Sequence, residues 1–421
     1  MNARIAAAEL LIAVLEDGRA LEDALDQTQS YNRLEGRDRA FARALATAGL
    51  RRLGSINAVL SQMLQRPLPD TASHARALLH IGATQLLVLG TPAHAAVGET
   101  VEAANQLSKA RGFAKLMNAV LRRVSREGAE MMATLPPGAD LPAWLYTRWR
   151  ATYGEAAPQI AQALLTEPPL DISVKTDVEE WAPRLFGVAT PTGSIRLTDH
   201  APIDSLAGFS EGAWWVQDAA AALPAKLLGD VRGLRVLDLC AAPGGKTLQL
   251  AAAGARVTAV DKSDARLKRL RENLARTKLE AEVICADALT FSAEPFDAVL
   301  LDAPCTSTGT LRRHPDVAWL RRPTDVRQLA ELQSALVASA AKLMKPGAPL
   351  IYAVCSLEPE EGEGVVADAL KKGWRREPFK PDVIPGAEAF ITAAGDLRTH
   401  PGHWPEIGGL DGFYAARLVR D

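Results

Sequence analysis

The strongest constraint on this chain is an alternation that begins near residue 216. Short apolar runs at 234–240, 256–260, 282–286, 297–302 and 349–355 are separated by longer stretches of helical pattern. Runs of this length read as buried strands, and their alternation with helices predicts a doubly wound, Rossmann-like α/β sheet. In an open parallel sheet, ligands bind beyond the carboxyl ends of the strands, so whatever follows each run lies on one rim. Val236-Leu237-Asp238-Leu239-Cys240 leads into the turn Ala241-Ala242-Pro243-Gly244-Gly245-Lys246-Thr247. Two further runs end in thiols, at Asp302-Ala303-Pro304-Cys305 and at Ala353-Val354-Cys355-Ser356. A Gly-rich turn and two cysteines on one rim are the layout expected of an enzyme that uses sulfur as a nucleophile beside a nucleotide-like cofactor.

A chain of 421 residues has room for two or three domains with ample core. Hydrophobic content of 48% and charged content of 23% are ordinary for a soluble globular protein, and the low aromatic share of 5% with abundant Ala leans towards helix. The net charge of −2 does not announce a nucleic-acid binder, although the first 130 residues are mildly basic and the remainder acidic. The cysteines, Cys240, Cys285, Cys305 and Cys355, show no CxxC pairing, which argues for reduced thiols in a cytoplasmic protein. No apolar run approaches the roughly 18 residues that span a membrane. Arg4 and the apolar stretch after it imitate a signal peptide, but Glu9 interrupts the stretch, which continues as an amphipathic helix.

Residues 1–130 are expected to form an all-helical bundle. Ala8, Leu11, Ile12 and Leu15 repeat at helical spacing, as do Phe41, Ala44, Leu45 and Ala48, and then Val97, Thr100, Val101 and Ala104. Breaks fall at Gly18, Pro67-Leu68-Pro69-Asp70 and Gly90-Thr91-Pro92. Residues 131–142, with Leu135-Pro136-Pro137-Gly138-Ala139-Asp140, read as a stiffened linker. A small α+β segment follows at 143–215, with Trp144, Trp149 and Tyr153 on a helix and a strand over Leu170–Val174, and the α/β domain occupies 216–421.

The turn from Cys240 through Ala241, Ala242, Pro243, Gly244, Gly245 and Lys246 is the expected cofactor cradle. Its glycines admit close backbone approach, and the helix after it offers free N–H groups. The next strand ends in Asp261, about 20 residues on, where a carboxylate suits ribose hydroxyls. The one after leads to Asp287, able to reach an adenine edge. A phosphate loop would need Gly where Cys240 stands, and the turn is not GxGxxG. Asp261 and Asp287 could each instead cap a helix.

A thiol at a strand end is often only a small hydrophobe, and Cys240 and Cys285 are read that way. Cys305 and Cys355, paired on the cofactor rim, are read as catalytic. Two thiols and a carboxylate suit methylation at position 5 of a pyrimidine. A thiolate adds at C6, C5 accepts the methyl group, and an acid near N3, here Asp302, stabilises the adduct.

The segments Asp238–Thr247, Asp302-Ala303-Pro304-Cys305-Thr306-Ser307-Thr308-Gly309 and Val354-Cys355-Ser356 with Glu360-Glu361 resemble the motifs of S-adenosylmethionine-dependent RNA cytosine-5 methyltransferases. Gly412-Phe413-Tyr414-Ala415-Ala416 is similar to that family's closing strand, and Trp215-Val216-Gln217-Asp218 to its entry into the catalytic domain. The resemblance implies S-adenosylmethionine as cofactor, Cys355 as the nucleophile, Cys305 as the thiol that aids product release, and Asp302 among the residues near the cofactor. Asp38-Arg39-Ala40-Phe41, Gly82–Leu87, Pro92–Val97 and Asn118–Arg122 resemble the helical domain shared with the antitermination factor NusB. A NusB-like bundle fused to this core is the arrangement of the RsmB (Sun) family, which methylates 16S ribosomal RNA. One departure is Ile172-Ser173-Val174-Lys175-Thr176, where the family usually has Leu-Arg-Val-Asn.

RNA contacts are expected at Arg312 and Arg313 after the Cys305 loop, at Arg37 and Arg39 in the helical domain, and at Lys175. Reaching C6 requires a splayed-out or single-stranded base. His400-Pro401-Gly402-His403 lacks a third ligand nearby, so no metal is implied, and a monomer is expected. The rival readings are methylation of another nucleic acid, such as tRNA or DNA, and a non-catalytic RNA-binding or assembly factor.

Overall fold

The computed structural model describes residues 2–198 and 202–420, which divide into two compact units. The first joins residues 1–166 with 311–322. At its centre is the helix Ala3–Leu15, in which Ala6, Ala7, Ala8 and Leu10 are wholly buried. The spacing of its larger residues predicts one buried face, but the helix is covered on most sides. Its run of alanines presents so little bulk that the helices Gly36–Arg51 and Ser73–Leu87 both pack closely on it. Asn2 caps it, its Oδ1 accepting from the Arg4 amide at 2.9 Å. The helices Ala93–Gln106 and Ala114–Ala133 pack on each other and on Ser73–Leu87 to complete the bundle.

Two segments expected elsewhere fall in this unit. The helices Ala143–Tyr153 and Ala157–Ala163 cluster with the bundle rather than with the sheets that follow. So does 311–322, which interrupts the α/β sequence: Leu21 N donates to Asp316 Oδ2 at 2.9 Å, and Trp319 Nε1 donates to the Leu50 carbonyl at 3.1 Å.

The second unit, 167–310 with 323–421, holds two sheets. The smaller contains β1 (Asp171–Val174), β2 (Gly187–Ala189), β3 (Ile195–Leu197) and β4 (Trp214–Val216), antiparallel in the order β2-β3-β1-β4. It is pinned by a buried bidentate pair, in which Arg196 Nε and Nη2 donate to the two oxygens of Asp171 at 2.7 and 2.8 Å.

The larger sheet is built on β5 (Arg235–Leu239), β6 (Arg256–Asp261), β7 (Glu282–Cys285), β8 (Ala298–Asp302) and β9 (Pro349–Val354). These five pair in parallel in the order β9-β8-β5-β6-β7, within a residue of the predicted limits at each end. The short strands β10 (Arg375–Arg376) and β11 (Leu397–Arg398) and the strand β12 (Tyr414–Val419) complete it, β12 running antiparallel to β9. Side chains alternate between faces: Val236, Leu300 and Ile351 enter one core cluster, while Leu237, Leu301 and Tyr352 enter the other. Burying an aliphatic chain of this size contributes about 1.5–3 kcal/mol, so a slip of one residue would be strongly resisted. The register sets Leu239 beside Val260 and Leu301, and Asp302 beside Ala353. The strand ends are therefore flush, and the connections run to opposite sides of β5, which makes its carboxyl end the switch point.

Candidate active site

The chain leaves β5 through Cys240, a non-glycine residue at φ 61°, and reaches Gly244 at φ 111°. A Cβ at Gly244 would lie 2.3 Å from Leu270 Cδ1, so both the conformation and the space require glycine. The helix Gly245–Ala252 then starts with its amides towards the rim. Asp261, buried at the end of β6, braces the turn: its Oδ2 accepts from the Ala242 amide at 3.2 Å and its Oδ1 from the Ser263 amide at 2.9 Å. Asp287 is exposed and accepts from the Leu289 amide at 2.9 Å. Below the turn, Asp238 is fully buried. Its Oδ2 accepts from Thr247 Oγ1 at 2.5 Å, and its Oδ1 has no hydrogen-bond partner among the described residues. Burial, opposed by the Thr247 bond and the Lys246 charge, pushes its carboxyl up to about 7. A glycine cradle, a helix start and a buried carboxylate at the neighbouring strand end fit the polar parts of a nucleoside cofactor.

Lys246 turns inward from this cradle. Its Nζ donates to Asp302 Oδ2 at 2.7 Å and lies 5.1 Å from the centre of the Phe413 ring. Burial works against the ammonium, but the charges of Asp302 and Asp238 outweigh it and hold its pKa above the ordinary lysine value. Asp302 and Lys246 thus form a proton-bearing ion pair at the boundary between cradle and thiols.

The two expected thiols meet. Cys305 Sγ and Cys355 Sγ are 3.4 Å apart, and Ser307 Oγ lies 3.6 Å from Cys355 Sγ. Ser307 holds a left-handed φ of 59°, which directs its hydroxyl to the pair. The shared hydrogen bond can run either way, and the groups around it favour Cys305 as its donor. The Cys305 bond, with help from Ser307 and Lys246, lowers the Cys355 pKa despite burial and the Asp302 charge. Donation to Cys355, burial and the nearby Glu361 charge push Cys305 well above the ordinary thiol. The two remaining thiols differ in kind: burial and the surrounding aspartates push Cys240 up to about 12, and Cys285 is an exposed group 3.7 Å from the Lys262 carbonyl.

Both thiol loops are stitched by backbone. Gly309 N donates to the Cys355 carbonyl at 3.0 Å, and Gly412 N donates to the Gly309 carbonyl at 2.8 Å. A Cβ on Gly309 would stand 2.0 Å from the Gly412 oxygen, so the approach of the two glycine backbones excludes any side chain.

The expected RNA contacts divide. Arg37 and Arg39 are exposed on the helix Gly36–Arg51, with Arg39 stacked 4.8 Å over Tyr31. Arg312 is a correction: it is fully buried, with its carbonyl accepting from Arg51 Nη2 at 2.7 Å, so it presents no surface to a phosphate. Arg313 is half-buried in the same segment. Lys175 directs its ammonium to the Thr277 carbonyl at 2.8 Å, a bond within the fold.

Sequence reasoning missed what holds the thiol loops together. Glu361, named from sequence only within a family motif and given no role, is buried in a π-helical turn, Glu360–Gly364, and bonded to residues beside both cysteines. A hint lay in the two hydroxyl residues, Thr306 and Ser356, that directly follow the cysteines. Among the described residues no group of three or more His, Cys, Asp or Glu is arranged to hold a metal, and no helix is long and apolar enough to cross a membrane.

Residues 225–419 match the family described as 16S rRNA methyltransferase RsmB/F, and residues 1–126 match the NusB family. Over the full chain the sequence is 35% identical to ribosomal RNA small subunit methyltransferase B of Erwinia tasmaniensis, covering 99% of that protein. It is 36% identical to the protein of the same name from Vibrio cholerae, again over the full chain and 98% of the relative. A methyltransferase homologue from Pyrococcus horikoshii is similar in structure, with a TM-score of 0.56 at 27% identity over 65% of this chain and 94% of its own. NSun6 from Pyrococcus horikoshii, solved with SFG, shares the fold at a TM-score of 0.56 and 21% identity, over 66% of this chain and 98% of its own.

Proposed function

This chain belongs to the RsmB/F family of 16S rRNA methyltransferases, and from that premise we propose that it methylates C5 of a cytosine in 16S ribosomal RNA through a covalent bond between Cys355 and C6. The observation that carries the reading is the contact of two inequivalent thiols, 3.4 Å apart, beside the Lys246–Asp302 ion pair.

S-adenosylmethionine supplies an electrophilic methyl group. The turn Cys240–Lys246 would hold it by backbone amides, the carboxylate of Asp261 would take its ribose hydroxyls, and Asp287 would reach its adenine. Cys355, the thiol whose pKa is lowered, adds its sulfur lone pair to C6, and the C5–C6 π electrons shift into the ring. The Lys246–Asp302 pair delivers a proton towards N3 as charge grows there. C5 would then take the methyl group as its bond to the sulfonium sulfur breaks, with S-adenosylhomocysteine as the leaving group. Loss of the C5 proton to a solvent base returns electrons to the ring and breaks the C6–sulfur bond, which releases Cys355 as the thiolate while N3 gives its proton back to the Lys246–Asp302 pair. Cys305, held protonated, assists this elimination and restores the hydrogen bond to the departing Cys355 sulfur.

The test is methyl transfer from labelled S-adenosylmethionine to 16S RNA by the parent, Cys355→Ala and Cys305→Ala. Cys355→Ala is expected to lower transfer by at least about 10⁴-fold, whereas Cys305→Ala accumulates a protein–RNA adduct that survives denaturing electrophoresis. Transfer that persists in Cys355→Ala would sink the proposal. Arg37 and Arg39 are assigned to RNA phosphates. Replacing each with Ala should reduce the slope of log K against log salt by about one for every phosphate left unpaired.

A further inference from the structure

The two catalytic loops are separate in sequence, and each sits on its own strand, β8 and β9. Their thiols can share a hydrogen bond only if the loops are held at a fixed spacing. The backbone stitch through Gly309 sets one side of that spacing. The other side is a single buried carboxylate. Glu361 Oε1 accepts from the Thr306 amide at 2.8 Å and from Gln333 Nε2 at 3.0 Å. Its Oε2 accepts from Ser356 Oγ at 2.5 Å and also from Thr306 Oγ1. Thr306 follows Cys305 and Ser356 follows Cys355, so one carboxylate grips the residue beside each thiol.

This carboxylate is itself fixed from behind. Tyr352, fully buried on β9, donates its hydroxyl to the Glu361 carbonyl and approaches Gln333 Oε1 at 3.1 Å. Gln333, on the helix Pro323–Ala340, reaches the Pro304 carbonyl at 2.9 Å, the residue before Cys305. The π-helical turn at Glu360–Gly364 is what aims Glu361 inward while Glu360 and Glu363 remain exposed. Such a buried acid is costly to maintain without its full set of donors, and here every donor comes from the thiol loops or from Gln333.

The geometry points to Glu361 as a positioning residue that clamps the Cys305 and Cys355 loops together and so maintains the thiol–thiol contact on which nucleophile activation depends. It touches neither substrate nor cofactor in this role and acts through Thr306 and Ser356. The inference rests on the thiol chemistry proposed above and adds to it the group that sets the spacing. Glutamine in its place keeps the size and one acceptor oxygen. Its amide nitrogen, however, donates where Oε2 accepted, so Ser356 Oγ and Thr306 Oγ1 must turn their protons away and two charge-assisted bonds give way to weaker neutral ones.

The experiment compares full-length parent, Glu361→Gln, Ser356→Ala and Cys355→Ala. It follows kcat and KM for S-adenosylmethionine, the pH profile of alkylation at Cys355 by iodoacetamide, and the melting temperature. The other ionisable groups acting on the thiols are Lys246 and Asp302 at Cys355 and Tyr352 at Cys305, with Tyr414 and Arg398 acting on Tyr352 behind them, and all are retained in the first two variants. Glu361→Gln is expected to lower kcat about 100-fold, the scale of an ångström of misplacement. KM for S-adenosylmethionine should stay within about twofold, and the Cys355 alkylation profile should move to higher pH. Ser356→Ala, which removes the grip on Glu361 together with the Ser356 Oγ bonds to Thr306 Oγ1, Thr308 Oγ1 and the Glu358 amide, should move both readouts the same way by a smaller factor. Parent-like kcat and alkylation in folded Glu361→Gln would overturn the clamp, as would a loss confined to melting temperature. Should Glu361→Gln not fold, parent-like behaviour of Ser356→Ala would overturn it equally. Transfer retained in Cys355→Ala would instead remove the thiol reading itself, so the two failures are distinguishable.

Discussion

The two halves of the sheet's rim are built by different means. At the ends of β5 and β6 the cofactor cradle is made of backbone: a Gly turn, a helix start, and Asp261 bracing amides at 2.9 and 3.2 Å. At the ends of β8 and β9 the thiol site is made of side chains, with Thr306, Ser356, Gln333 and Tyr352 gathered on Glu361. On the proposed reading, the first half takes a ligand that arrives complete and needs only shape and donors. The second must hold two sulfurs in a defined relation before any substrate arrives, and a satisfied polar network in a low-dielectric interior supplies that rigidity. Cofactor affinity and thiol activation should therefore be separable by mutation.

Asp302 tests that separation most severely, because it ends β8 and pairs with Lys246 from the cradle. If the carboxylate belongs to the thiol half, Asp302→Asn lowers kcat by about 10²–10⁴-fold, the range for lost acid catalysis. Cofactor affinity measured by calorimetry then changes little. A large loss of affinity with unchanged single-turnover rate would move Asp302 to the cradle.

Gly244→Ala attacks the other half. Its Cβ would lie 2.3 Å from Leu270 Cδ1 at a φ of 111°, so the turn must shift. Cofactor binding should weaken about 100-fold, or about 2.7 kcal/mol. The rate of Cys355 alkylation should stay near that of the parent. If alkylation slows as well, the halves are mechanically joined and the comparison fails.

The same division explains what could be read from sequence. The alternation of strands and helices is strong because the inner strands β5, β6, β8 and β9 are buried on both faces and so are largely apolar, whereas the edge strand β7 is partly exposed. Cys305 and Cys355 were legible because a strand end fixes where a residue points. Glu361 was not, since a buried acid and a solvated one look alike in the run Glu358–Glu363, and only the π-helical turn distinguishes them. Arg312 misled for the converse reason. Basic residues after an active-site loop suggest a phosphate patch, but 311–322 clusters with the helical unit, where Arg312 is buried. A segment that leaves its domain and returns carries no local signature in hydrophobic period.

Asp238 gives the smallest and most diagnostic effect, because it underlies the cradle yet its carboxyl is pushed up to about 7 by burial. In the unfolded chain an aspartate titrates near 4. The folded state therefore binds the proton more tightly, and the stability this confers is full below about pH 4 and is lost as pH rises towards about 7. Asparagine mimics the neutral acid: its oxygen can accept from Thr247 Oγ1, and its amide takes the place of the partnerless Oδ1. Between about pH 5.5 and about pH 7 the cofactor-free parent should lose about 2 kcal/mol relative to Asp238→Asn, at about 1.4 kcal/mol per pH unit inside the window. Urea unfolding of both proteins across that range measures it. A constant difference would mean that the neighbouring Lys246 charge keeps Asp238 ionised. The cradle would then share an electrostatic network with the thiol half, contrary to the separation drawn above.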